Sequence, residues 1–333
     1  VYNGETYIVN EIGTCAFRRD INGRIQSVKI PSTVVSIGKE AFWGCVNLRE
    51  LTIPETVRTI GSGAFELCRN LRTINLGARD IGERAFCDCA NLESLIIAGT
   101  CISIGNDAFT MCRNLRRLVL EDGTEPLNLG YSYSFGSLYD PMEEPNHYRG
   151  QFADCALDTI YLGRDITYPT VTTYGTNKKM CLPFETWRHS YQDVTIPYYY
   201  FGPQLDCVIF GDEVTVIPER LFATTSGGSA YIKNEIILPP KLKIIGPYAF
   251  YDQYADDGVL TQNKEITLPE TLDSIGPFAF GGNRKLQVIN SKAVAPPKLS
   301  SSSFQKCDIS VNVPKGSGSA YRKNEIWNSF LIV

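Results

Sequence analysis

The side chains that could do covalent or metal chemistry are eleven cysteines and two histidines. The densest combination is Cys181, His189 and Asp193, which could supply a thiolate, a histidine base and an orienting acid. These three residues share one irregular stretch with no rigid scaffold beneath them. Adjacent acids such as Glu143 and Glu144 are typical of solvated loops. We therefore predict that the protein is not an enzyme.

Six of the cysteines recur at one position, three residues after a phenylalanine. A metal site needs ligands that converge in a tetrahedron, whereas equivalent positions of stacked repeats point in parallel. A free cysteine also packs as a small apolar side chain with a weak donor. We interpret these residues as a buried structural column without disulfides, and we expect no metal and no cofactor. The column comprises Cys45, Cys68, Cys89, Cys112, Cys155 and Cys307.

The phenylalanines belong to an internal repeat. The pattern Ile-Gly-x-x-Ala-Phe recurs with its phenylalanine spaced by 23, 21 and 23 residues from Phe42 to Phe109. Self-similarity at such a period is the signature of a solenoid. The glycine is expected to allow a tight turn or a positive φ. Further copies, some degenerate, end at Phe17, Phe152, Phe222, Phe250, Phe280 and Phe304.

Each copy continues with Leu-x-x-Leu-x-Leu or an equivalent, whose last two apolar residues alternate as in a strand. One coil cannot bury its apolar face alone, but stacked coils bury a continuous core. The pattern predicts eleven short parallel strands, each followed by a return segment. These predicted strands contain Val28, Leu51, Ile74, Leu95, Leu118, Ile160, Val208, Ile236, Ile266, Ile289 and Val311.

Composition excludes several classes of protein. The chain has a net charge of −4 and a pI near 5.4, without the basic stripe of a nucleic-acid binder. It is 43% hydrophobic and 20% charged, as globular domains are. No apolar run reaches the length of roughly 18 residues that a membrane span requires. We therefore predict no nucleic-acid partner.

The consensus Ile-Gly-x-x-Ala-Phe-x-x-Cys-x-x-Leu-x-x-Leu-x-Ile-Pro resembles the BspA-like leucine-rich repeat of bacterial cell-surface proteins. The resemblance is specific through residues 8–120 and looser at 152–166 and 205–291. It implies a non-enzymatic, secreted or surface-attached adhesion module, extracellular or at the outer cell surface. Its implied partner is a protein ligand, such as a host or neighbouring-cell surface protein. Membrane attachment would occur only through a removed N-terminal signal.

These patterns predict one leucine-rich-repeat domain over residues 1–333. It is a right-handed coil with one continuous parallel sheet of about eleven strands and irregular return segments. Regular repeats occupy 8–125, a repeat region with two long insertions 126–204, further repeats 205–313, and a cap 314–333. In the cap, Ser319 is expected to cap a short helix that places Tyr321, Trp327 and Phe330 near one face, covering the end of the core.

The regular pattern fails between Leu120 and Leu205, where two insertions lie near residues 128–150 and 167–202. Long insertions in solenoids often form the binding face, and exposed tyrosine and tryptophan are favoured interface anchors. The alternative is that the two insertions pack on each other as a small satellite core. The candidate ligand-binding residues in them are Tyr131, Tyr133, Tyr139, Tyr148, Tyr174, Trp187, Tyr191 and Tyr199.

A second candidate surface is the solvent-facing side of the parallel sheet, because solenoids commonly bind ligands on such extended surfaces. There Ile96, Val119 and Tyr161 should form an unusually apolar strip beside the insertions. Two ligand classes remain open. The first hypothesis is a protein ligand, and the alternative is a glycan-binding surface module that uses the aromatic side chains of the insertions.

Overall fold

The structure is a computed structural model that divides into two compact units. The first unit comprises Val1–Ala156 and Thr167–Pro183, and the second comprises Leu157–Ile166 and Phe184–Val333. The residues described are 8–20, 23–134, 147–152, 155–172, 178–180, 183–184, 204–223, 231–251, 259–260 and 262–333. The predicted domain subdivision stays a prediction.

In the first unit the strands predicted from the repeat, here called main strands, pair in parallel. Their register places Val28, Leu51, Ile74, Leu95 and Leu118 side by side. These side chains alternate with outward ones, as the period of two requires. The main strands of this unit are Ser27–Lys29, Glu50–Ile53, Thr73–Leu76, Ser94–Ile97 and Arg117–Leu120.

The return segments are more regular than expected, since they form a second parallel ladder. Its two- and three-residue strands, here called return strands, align Ile37, Ile60, Ile81 and Ile104 in register. Two residues per coil suffice because every neighbouring coil repeats the same pair of hydrogen bonds. The return strands of the first unit are Glu11–Ile12, Ser36–Ile37, Thr59–Ile60, Asp80–Ile81, Ser103–Ile104 and Leu127–Leu129. Strand Ile166–Thr167 lies at the unit boundary.

The second unit contains the same two series and a third short pair. Its main strands are Thr159–Leu162, Cys207–Phe210, Glu265–Leu268, Val288–Ser291 and Ser310–Asn312, and the cap strand Leu331–Ile332 pairs in parallel with the last of them. Its return strands are Val216–Ile217, Ile244–Ile245, Ser274–Ile275 and Lys298–Leu299. Gln204–Leu205 pairs in parallel with Tyr231–Ile232. The first unit has, outside its two series, two antiparallel pairs that join Tyr131–Ser134 to His147–Gly150 and Thr170–Thr172 to Lys178–Met180.

The structure confirms the solenoid, but one of the eleven predicted main strands does not form. Around Ile236 the backbone has no strand assignment. The amide side chain of Asn234 bonds to both the N–H and the carbonyl of Val208, and Asn263 does the same to Ile236. These side chains take the place of ladder hydrogen bonds, so in the second unit the main strands fall into two separate sheets.

Stacked phenylalanines fill the interior of each unit. From Phe42 to Phe109 successive ring centroids are 5.0–5.5 Å apart and the rings are nearly parallel. In the second unit Phe222, Phe250, Phe280 and Phe304 stack in the same way. Offset stacking at this spacing adds to the burial of apolar area. The repeat phenylalanine is therefore a core residue, as its periodicity predicted.

The repeat glycine is needed for a different reason from the one expected. Its φ is not positive; instead, a Cβ on Gly38 would lie 2.5 Å from the backbone nitrogen of Thr14 in the preceding coil. The positive φ lies two residues later, for example at Glu40 with φ 54° and Arg84 with φ 55°. Glycine is thus required by the close approach of two backbones.

A short cap follows the last coil, as predicted. Helix Gly318–Lys323 and the 3₁₀ turn Trp327–Ser329 bury Tyr321 and Trp327 completely. The indole N–H of Trp327 donates to the Pro297 carbonyl at 2.7 Å. The expected helix-capping role of Ser319 is wrong, because the residue at the N-cap is Ser317 and its side chain makes no capping bond. Within the described residues, no helix is long and apolar enough to span a membrane.

Candidate functional site

The cysteine column has a structural role that its geometry explains. Each thiol points at the carbonyl of the repeat phenylalanine one coil earlier, as in Cys68 to Phe42 at 3.3 Å and Cys89 to Phe65 at 3.4 Å. Cys45 and Cys112 make the same contact. Burial raises the pKa of the Cys68 and Cys89 thiols well above the ordinary value. These neutral thiols donate hydrogen bonds and are poor nucleophiles.

Asn283 shows what this position requires. It occupies the column site of its coil, and its side-chain amide donates to the Phe250 carbonyl at 2.8 Å. A hydrogen-bond donor of modest size is therefore sufficient, and sulfur chemistry is not needed. All ten described cysteines, including the column members, are free thiols. Within the described residues no three histidine, cysteine or acidic side chains are grouped to hold a metal.

The considered nucleophile set, Cys181, His189 and Asp193, lies outside the described residues. The same holds for the candidate binding residues Tyr139, Tyr174, Trp187, Tyr191 and Tyr199. Their assignment to a ligand site stays a prediction.

Three further candidates lie on the first antiparallel pair. Tyr133 and Tyr148 are directly opposite each other across the ladder. Tyr131 is half-buried, its carbonyl accepts from the Asp107 N–H at 2.8 Å, and its own N–H donates to Asn106. The pair is therefore anchored to the preceding regular coil at its first residue.

Phe184 lies within the predicted second insertion, near residues 167–202, but it is a core residue. The residue is buried, with 5% of its surface exposed, and its ring stacks on Phe222 at 6.0 Å. It is the repeat phenylalanine of its coil. The second insertion is therefore interrupted by a core position. Its spacing from Phe152 and Phe222, 32 and 38 residues, obscured the repeat.

The two sheet-face candidates of the first unit are register partners. Val119 pairs with Ile96, and both side chains are half-buried on the outer face rather than fully exposed as expected. The same outward position is polar in the preceding coils, with Thr52 paired to Asn75. These outward side chains, one from each coil, form a row. In this row the apolar residues begin at Ile96 and occupy only a part of it.

In the second unit the same outward position is apolar at the candidate Tyr161 and at two isoleucines that were not predicted. Tyr161, half-buried, pairs with Ile209, which is 48% exposed. Ile237 holds the same repeat position in the next coil and is 81% exposed. The row then becomes polar, at Thr267 and its partner Asn290. Counting outward positions beyond Tyr161 would have found both isoleucines.

A cluster of aromatic residues on another corner of the second unit was also missed. The Arg220 guanidinium lies 4.6 Å from the centre of the Tyr248 ring, which stacks on Phe278 at 4.9 Å. Tyr251 contacts both rings edge-on. All three rings are half-buried, and Tyr248 and Phe278 have φ values of 57°. We call Arg220, Tyr248, Tyr251 and Phe278 the aromatic corner.

The fold and these surfaces define a repeat solenoid of the leucine-rich class. The family described as "BspA type Leucine rich repeat region" matches the sequence in six copies, over residues 9–136, 149–256 and 259–320. The protein therefore belongs to the BspA-type leucine-rich-repeat family, as the consensus predicted.

Several solved structures are similar to the chain. A leucine-rich repeat protein from Bacteroides ovatus is 23% identical, with a TM-score of 0.37, over 100% of this chain and 90% of that one. A leucine rich cell surface protein from Faecalibacterium prausnitzii is 18% identical, with a TM-score of 0.36, over 96% and 87%. The T. pallidum leucine rich repeat protein TpLRR is 23% identical, with a TM-score of 0.35, over 48% and 72%. No curated protein matches the sequence.

Proposed function

We propose that this protein is a non-enzymatic binding module, exported or attached to the cell surface, which recognises protein ligands through the outward-facing residues of its stacked coils. The observation that carries the proposal is the outward row of the second unit, where Ile209 and Ile237 are 48% and 81% exposed. The chain belongs to the BspA-type leucine-rich-repeat family, whose repeat is typical of bacterial cell-surface proteins. This membership supports a surface location and the absence of catalysis.

Large apolar side chains on the solvent side of a sheet oppose solubility unless a partner covers them. In the second unit three successive positions of the row, Tyr161, Ile209 and Ile237, are apolar, whereas the later ones, Thr267 and Asn290, are polar. An apolar centre with a polar rim is the usual composition of a protein interface. The row therefore favours a protein ligand.

The first unit supports the same interpretation. Ile96 and Val119 are adjacent on the outer face, while Lys29, Thr52 and Asn75 precede them in the row. The paired tyrosines Tyr133 and Tyr148 belong to an insertion in this unit. We propose that the insertions add to the binding surface, with the remaining candidates in them as further contacts.

The test begins with a ligand captured from a surface-protein fraction, identified, purified and titrated against the protein. Ile209→Lys and Ile237→Lys place a charge on the apolar row at exposed positions, where folding tolerates it. Loss of an interface anchor weakens affinity on the order of tenfold to a hundredfold. The matched control is Thr267→Lys, at the same repeat position in the polar part of the row, which we expect to bind as wild type.

A second variant tests the insertions separately. Residues 187–200 are replaced by a short Gly-Ser linker, which spares the core residue Phe184. If both lysine variants bind normally and this deletion abolishes binding, the sheet face is not the site. If all variants bind normally, the proposed surface is wrong altogether.

A further inference from the structure

The aromatic corner is the strongest feature of the molecule that the proposed function does not use. Its rings are held by backbone that side chains rarely adopt, since Tyr248 and Phe278 both have a φ of 57°. A left-handed conformation is unfavourable for bulky residues and costs stability. The same repeat position holds glycine in another coil, at Gly63. Other coils hold Glu40 or Arg84 there, so the position accepts a side chain, but aromatic residues occupy it only at a cost in backbone strain.

The stack of side chains begins at Arg220 and ends at Phe278. Arg220 covers one face of Tyr248, and Phe278 covers the other at 4.9 Å with an interplanar angle of 14°. In the next coil the equivalent residue is Ser302, which is too short to cover a phenyl ring. Among the described residues, the only rings that contact Phe278 are Tyr248 and Tyr251. Because Phe278 is only half-buried, we infer that its face away from Tyr248 is open to a ligand.

Polar groups adjoin this open face. The coil after Phe278 places Ser302 and Gln305 beside it, because the Phe280 N–H donates to the Ser303 carbonyl and the Gly282 N–H to the Gln305 carbonyl. Ser301 and Gln305 are exposed. An aromatic face carries partial negative charge, and the axial C–H groups of a sugar ring are weakly positive. A flat ring bordered by hydroxyl and amide groups is suited to one sugar unit.

The size of the corner also favours a small ligand unit over a protein. A standard protein interface buries roughly 800 Å² on each partner, with an extended apolar centre. Here only three half-buried rings are grouped, and the next coil carries the exposed polar residues Gln305 and Lys306. The Tyr251 ring lies close to the backbone of Gly281, where an added Cβ would lie 3.0 Å from it.

We propose that the aromatic corner is a carbohydrate site that binds a hexose unit of a neutral glycan. The sugar ring stacks on the open face of Phe278, and Ser302 and Gln305 bond its hydroxyls. This site is independent of the protein-binding surface proposed above, since it uses different residues and a different ligand class.

The test uses the full chain on an array of neutral hexose oligosaccharides, with the strongest binder titrated by calorimetry. Phe278→Gly and Phe278→Asn remove the ring, and both residues tolerate the left-handed backbone, so the melting temperature should change little. We expect each variant to weaken the affinity about tenfold or more. The binding of the captured protein ligand should not change.

Trp43→Ala is the matched control. Trp43 is also a half-buried aromatic residue, but guanidinium groups of Arg18 and Arg19 lie 5.0 and 4.9 Å from its ring centre. We expect glycan affinity to be unchanged in this variant. The proposal is overturned if no neutral oligosaccharide binds, if Phe278→Gly and Phe278→Asn bind as wild type, or if Trp43→Ala causes an equal loss.

Discussion

Residues 231–237 and 321–327 have nearly the same sequence and different structures. Both read Tyr-x-Lys-Asn-Glu-Ile followed by a large apolar residue. In the first segment Tyr231–Ile232 is a strand and the chain then runs without regular structure. In the second, Gly318–Lys323 is a helix and Trp327 begins a 3₁₀ turn. Four identical consecutive residues, Lys-Asn-Glu-Ile, thus occupy two environments.

The residues that differ explain the two outcomes. Ile232 is fully buried and β-branched, which favours a strand, whereas its counterpart Arg322 is exposed, as a helical surface allows. At the last position the first segment has the exposed residue and the second segment the buried one: Ile237 is 81% exposed and Trp327 is fully buried. Burial of particular side chains, rather than local propensity, therefore decides the structure of this sequence pattern.

The largest effect is expected from exchanging the residues at the second position. Ile232→Arg would place a guanidinium in a fully buried site, with a cost of about 5 kcal/mol in unfolding free energy. The reverse change, Arg322→Ile, loses one bond to the Ile332 carbonyl and should cost less than about 1 kcal/mol. Denaturant titration of both variants measures the difference, and equal effects would show that burial does not separate the segments.

The next largest effect concerns the final position. Trp327→Ala removes a fully buried indole and its bond to Pro297, which should lower the unfolding free energy by about 4 kcal/mol. Ile237→Ala removes an exposed side chain and should change stability by less than about 0.5 kcal/mol. Thermal melts followed by circular dichroism compare the two. A stable Trp327→Ala variant would mean that the cap does not close the core.

The shared asparagine should matter more in the first segment. Asn234 bonds to the Val208 N–H and carbonyl and to the Glu235 carbonyl, so Asn234→Ala should cost about 2 kcal/mol. Asn324 accepts from the N–H groups of Ile326 and Trp327, and its alanine variant should cost about 1 kcal/mol. Chemical denaturation measures both. The reverse order would contradict the role of Asn234 as a substitute for ladder bonds.

The smallest effect is a pH dependence in the second segment. Burial raises the pKa of Tyr321 above its ordinary value of 10.0. The neutral phenol is thus favoured in the folded state, so its stabilisation is complete below about pH 10 and falls as pH rises further. Tyr321→Phe removes the bonds to Ser291 and Ala293, costing about 1 kcal/mol at neutral pH. The difference between wild type and variant should shrink in melts above pH 10; a constant difference would contradict the shift.

Much of the fold could be predicted because the residues that recur in the repeat are the ones that are buried. The repeat phenylalanine recurs because each ring must stack on the next, as Phe42, Phe65 and Phe86 do. The repeat cysteine recurs because its position needs a hydrogen-bond donor, as at Cys68. The return strands escaped prediction because two residues give no alternation to detect. The gap at Ile236 depends on Asn234 and Asn263 side chains, whose bonds are long-range.

The candidate surfaces were harder to predict than the core. Outward positions are not constrained by packing, so the repeat locates Ile209 and Ile237 on the outer face but does not predict that they are apolar. The aromatic corner depends on rings from coils 30 residues apart, Tyr248 and Phe278, which meet only after the coils stack. A sequence pattern that reflects burial does not predict which outward side chains come together on the surface.

The thiol column has a consequence for the environment in which the protein can persist. Outside cells, oxidants convert accessible thiolates into disulfides and sulfenic acids. Cys68 and Cys89 are buried, neutral and engaged with a carbonyl, and burial also raises the pKa of Cys87 to about 12. These sulfurs are therefore protected from oxidation by the fold itself. The buried cysteines can thus remain reduced in an oxidising environment for as long as the coils remain stacked.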